Sequence, residues 1–188
     1  MSREDGRAVL EAFRYVDGIY RTAAQLVAAC DPVLGSRGFL PCVGNWRAIY
    51  IAGKHQHLAH ADRWLPRFVI RQYHQEGNND DYLTIGAVLW YPGAPLELPV
   101  GLASRLTASN TGDDIYWVSI LQCLAAGCPA DGVVRTITPD DVPDAPREVL
   151  YELRRKVQQA SLRSVAVPLL DLTCPADVDA RLLTPLLA

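Results

Sequence analysis

Much of what would identify an activity by inspection is missing from this chain. It has no Cys-x-x-Cys pair, no Gly-x-Ser-x-Gly elbow, no Gly-x-Gly-x-x-Gly turn and no Walker-type loop. Those gaps argue against paired-thiol zinc or redox chemistry, an α/β-hydrolase nucleophile and a glycine-rich phosphate cradle. Lysine is scarce, at positions 54 and 156 alone. Neither follows a strand carboxylate in Glu-x-Lys fashion, so a nuclease-type site finds no support. There is no basic excess, because the formal net charge is −3. Strong nucleic-acid binders usually carry one, and nucleic acid is not an expected partner. No apolar run is long enough to span a bilayer. The richest, Ile115 to Ala126, carries Ser119 and Gln122.

The cysteines, Cys30, Cys42, Cys123, Cys128 and Cys174, are odd in number and irregularly spaced. That pattern suits a reducing compartment, with thiols used as small apolar side chains. The charged start, Met1 to Asp5, has no apolar stretch of signal-peptide type. Together these lead to the expectation of a cytoplasmic protein without a membrane segment.

What is present reads as one α+β domain over residues 1–188. Hydrophobic residues make up 49% and charged residues 21%, an ordinary globular balance. Apolar positions Val9, Phe13, Val16, Tyr20, Ala23, Val27 and Cys30 recur in steps of three and four. The spacing predicts a helix over about 7–30, ended by Asp31-Pro32. The centre alternates as strands do, over 45–52, 67–74 and 82–91, with a weaker fourth over 96–106. Pro99 and Gly101 demote that fourth stretch to an edge or irregular segment. Short connections favour antiparallel pairing. Further helices are expected at 115–126, 144–163 and 175–187, with strand-like stretches at 133–137 and 165–172. The expectation is a long N-terminal helix packed on a mainly antiparallel sheet of about four strands, with C-terminal helices.

Three histidines fall within six residues, in Lys54-His55-Gln56-His57-Leu58-Ala59-His60-Ala61-Asp62. On an extended segment His55 and His57 face the same side, and His60 and Asp62 complete a ligand set that zinc accepts. A zinc-bound water would then be a nucleophile near neutral pH. This stretch resembles the metal-binding loop of the metallo-β-lactamase fold, His-x-His-x-Asp-His after a strand. His55, His57 and His60 match its histidines, while Ala59 stands at its aspartate. The resemblance covers about ten residues. It implies a metal-dependent hydrolase with zinc as cofactor.

A second stretch, Arg63 to His74, mixes arginine with aromatic residues. Arg67, Arg71 and Tyr73 share one face of the expected strand. With Trp46 and Trp64 they form a candidate binding surface, since rigid amphipathic aromatics and arginines make interface anchors. The leading expectation is therefore a non-enzymatic protein-binding or accessory protein, of immunity or adaptor type. It would engage a partner, or a second copy of itself, through the sheet face and the 53–66 loop. The metal-dependent hydrolase is the alternative.

Overall fold

The computed structural model describes residues 3–42, 68–89, 99–107, 129–137 and 161–188. Helix α1 (Arg3–Gly35) is longer at both ends than the apolar spacing predicts. Its buried face runs through Ala23, Leu26, Cys30 and Leu34. Val27 is only half-buried. Pro32 does not end the helix but lies inside it. A proline there removes one donor and crowds the turn before it. The buried Leu34 side chain compensates, as do backbone bonds from Ser36 N to Pro32 O (3.2 Å) and Arg37 N to Leu34 O (3.0 Å).

The strands are β1 (Phe39–Pro41), β2 (Phe68–Gln75), β3 (Asn78–Val88), β4 (Val100–Thr107), β5 (Arg135–Ile137) and β6 (Ser161–Pro168). They form one antiparallel sheet in the order β1-β2-β3-β4-β6-β5. The sheet therefore has six strands rather than four. The expected strand at 45–52 lies outside the described residues, as do the expected helices at 115–126 and over 144–160. Ser161 to Arg163 belong to β6, which overturns the helical expectation for those three residues. They pair with the far end of β4, so the ladder extends the full length of that strand.

Strand β4 is central, not an edge. Pro99 lies just before the strand, where its missing N–H costs no ladder bond, and its carbonyl accepts from Leu169 N at 2.8 Å. At Gly101 a Cβ would collide with the Leu172 side chain, so glycine here leaves room for packing. The β2–β3 turn is reduced to Glu76-Gly77, with Gly77 at φ 76°, where glycine bears no steric cost.

Beyond β6 come a 3-10 turn (Leu169–Asp171), α2 (Pro175–Val178), a π-helical turn (Asp179–Leu183) and α3 (Thr184–Leu187). The Asp177 carboxylate accepts from Thr173 N, Thr173 Oγ1 and Cys174 N at 2.7–3.1 Å, which satisfies donors at the start of α2. Those bonds hold Asp177 below the usual carboxylate range. Arg37, just past α1, donates to Asp179 Oδ1 at 2.6 Å and to Thr184 Oγ1 at 3.1 Å, which ties the two helical regions together.

Alternation along the strands gives the sheet two faces, and both are buried. On the first, Tyr73, Leu83, Ile85, Ala87, Ala103, Val165 and Val167 meet α1 together with Leu182, Leu183 and Leu186. On the second, Ile70, Leu102, Leu106, Leu162 and Ala166 are buried. Strand β3 is buried on both sides, as its continuous apolar run implies.

Candidate functional site

Of the residues expected to carry function, His55, His57, His60, Asp62, Trp46, Trp64 and Arg67 lie outside the described residues. Among the described residues, no three His, Cys, Asp or Glu side chains gather as a metal would require. The structure does bring Arg71 and Tyr73 together, on the α1-facing side of β2. Tyr73 is fully buried and its hydroxyl donates to Asp31 Oδ1 at 2.7 Å. Arg71 Nη1 donates to Asp31 Oδ2 at 2.6 Å, and its guanidinium lies 5.7 Å from the Tyr73 ring centroid. Both side chains are thus committed to clamping α1 against β2, and Tyr73 presents no surface to a partner.

The clamp also sets the local electrostatics. Burial pushes the Tyr73 hydroxyl well above its usual range, and the bond to Asp31 adds to the shift. Burial, reinforced by Asp31, pushes the Cys30 thiol up to about 12. The Cys30 thiol donates to Leu26 O at 3.1 Å. A thiol held so far from its thiolate form is a poor nucleophile, so Cys30 is a core residue. Sequence spacing gave no sign of this cluster, because Asp31 finds its partners 40 and 42 positions away.

Three other polar groupings stand out. On the second sheet face Gln72, Thr84, Ser104 and Ser164 are register partners in one row across four strands, all buried. Ser104 Oγ and Ser164 Oγ are 2.8 Å apart and share a hydrogen bond. On the first face, toward the chain end of β4, Asp81 accepts from Arg105 Nε at 3.0 Å and from Nη2 at 2.7 Å. Arg163 is the register partner of Arg105 across β4–β6. The third is a groove of about 350 Å³ lined by Asp131, Gly132, Val167, Asp171 and Arg181 among others. Its charges are already paired. Arg181 donates to Asp171 at 2.9 Å, and Arg135 donates to both Asp131 oxygens at 2.7 and 2.8 Å. Arg135 and the Val133 N–H hold Asp131 well below the usual carboxylate range.

Among the described residues, α1 carries the largest group of exposed apolar side chains. Val9, Leu10, Phe13 and Tyr15 are 47%, 50%, 68% and 60% exposed. Val9 and Phe13 line up with half-buried Val16 and Tyr20, and that stripe leads into buried Ala23 and Cys30. The opposite side carries charges paired along the helix, Arg7 with Glu11 and Arg21 with Asp17. No family model, curated protein or solved structure matches this chain.

Proposed function

We propose that this chain is a non-enzymatic accessory protein that binds a protein partner, with the N-terminal half of α1 as its principal contact surface. The supporting observation is the exposed apolar stripe of Val9 and Phe13, flanked by Leu10 and Tyr15. An amphipathic helix is stabilised mainly by what its apolar face packs against. Here the half beyond Gly18 has the sheet, while the half before it leaves four large apolar side chains exposed. An amphipathic helix of this kind fits a hydrophobic groove or a second helix, read at positions spaced by three and four residues. On sequence grounds the 53–66 segment, with Trp64, is a second candidate contact.

The test is co-elution of a partner with the purified protein, comparing wild type with Phe13→Glu. Loss of the partner from a variant that keeps its helical content and melting temperature supports the proposal. Equal recovery by wild type and variant overturns it.

A further inference from the structure

We propose that Arg105 and Arg163 form a binding site for a carboxylate at the polar end of the α1-facing sheet surface. The two arginines are direct register partners on β4 and β6, so their side chains project from the same face. Like charges in that arrangement repel. Among the described residues one carboxylate, Asp81, is present, and it is almost entirely buried. Both of its oxygens are taken by Arg105, through Nε and Nη2. That fork fixes the Arg105 guanidinium and leaves its Nη1 without a hydrogen bond among the described residues. Arg163 is half-buried, and no carboxylate among the described residues reaches it.

Asp81 lies on β3, on the far side of Arg105 from Arg163, so among the described residues its charge offsets Arg105 and leaves the half-buried Arg163 as a single net positive charge. Such a charge is costly to desolvate unless an anion accepts its hydrogen bonds. A planar monoanion matches this charge and the fork geometry of guanidinium donors. A phosphate dianion would carry surplus charge toward Asp81. Thr136, the register partner of Arg163 on the other side, adds an exposed hydroxyl on the same face. The site is independent of the α1 surface. Its carboxylate could belong to a small organic acid or to the C-terminus of a peptide.

The test is a titration of the full chain followed through arginine side-chain Nε resonances. The probes are acetate, N-acetyl-dialanine and the amide of that peptide, each at fixed ionic strength with chloride as the balancing salt. Saturable shifts with acetate, the peptide acid or both are expected, with none from the amide. Acetate alone would mark a site for small free acids, and the peptide acid alone a site for chain termini. Arg163→Gln is expected to weaken binding about tenfold or more, the loss of one charge-assisted hydrogen bond. Absence of saturable shifts, equal binding of the amide, or unchanged affinity in Arg163→Gln overturns the proposal. Should that variant fail to fold, wild-type spectra decide. Shifts confined to Arg105 and Arg163 support the site, and an even drift of all arginines overturns it.

Discussion

The Tyr73 hydroxyl donates to Asp31 Oδ1 at 2.7 Å, and through this bond the second half of α1 is fastened to β2. Arg71 takes the other oxygen of the same carboxylate. Tyr73→Phe removes one hydrogen bond and leaves the ion pair, so a loss of about 1 kcal/mol is expected. Asp31→Ala strips both partners and leaves a largely buried guanidinium, so about 2 kcal/mol is expected, discounted for the partial exposure of Asp31. Urea denaturation checks the order. Equal, near-zero effects would contradict the clamp.

The same cluster predicts how stability responds to alkali. Cys30 is neutral in the fold up to about 12, while its ordinary value is 9.0. The Tyr73 hydroxyl is likewise raised above 10.0. The folded state therefore holds protons that the unfolded state releases. The contribution of these two groups to stability is full below pH 9 and is lost as pH rises toward about 12. Melting temperatures across that window are expected to decline less steeply in Cys30→Ala. A matching decline would show that Cys30 does not titrate late in the fold.

Thiol labelling separates the described cysteines. Cys174 is exposed and Cys30 buried. Brief treatment with a maleimide, read by peptide mass mapping, is expected to modify Cys174 in the native protein and Cys30 only after denaturation. Native labelling of Cys30 would contradict the packing of α1.

At Gly101 a methyl group would meet Leu172, which is itself buried. Gly101→Ala is expected to cost about 1–3 kcal/mol through overpacking. Combining it with Leu172→Ala should cost less than the two separate losses added together, because each change relieves the other. Strict additivity would show that the two residues do not compete for space.

These residues also show what was legible in advance. The steps of three and four on α1 and the unbroken apolar run of β3 reveal one helix and one doubly buried strand, since local periodicity reports local burial. The sheet's width and order are set by pairings between distant segments, and β4 disguises its central place behind Pro99 and Gly101. Both have structural reasons that appear only with Leu169 and Leu172 in place. Pro32 reads as a helix end locally, yet the buried Leu34 and the Asp31 clamp carry the helix past it. Of the candidate site, the arginine–tyrosine face was visible, but its use in holding α1 depends on an aspartate 40 positions earlier.

His55, His57, His60 and Asp62 distinguish a binding protein from a metal-dependent hydrolase. A binding protein without metal chemistry is expected to show far less than one equivalent of zinc or manganese when purified without an affinity tag. Stoichiometric metal, lost on His57→Ala, would favour the hydrolase instead.

The first half of α1 is the proposed contact surface. A photo-crosslinking amino acid placed at position 13 in the cell tests it most directly. Phe13 is 68% exposed, so the change is expected to alter stability by no more than about 0.5 kcal/mol. One discrete adduct is expected, with another protein or a second copy, that disappears when Val9→Glu is added. No adduct at position 13, or one indifferent to Val9→Glu, would contradict it.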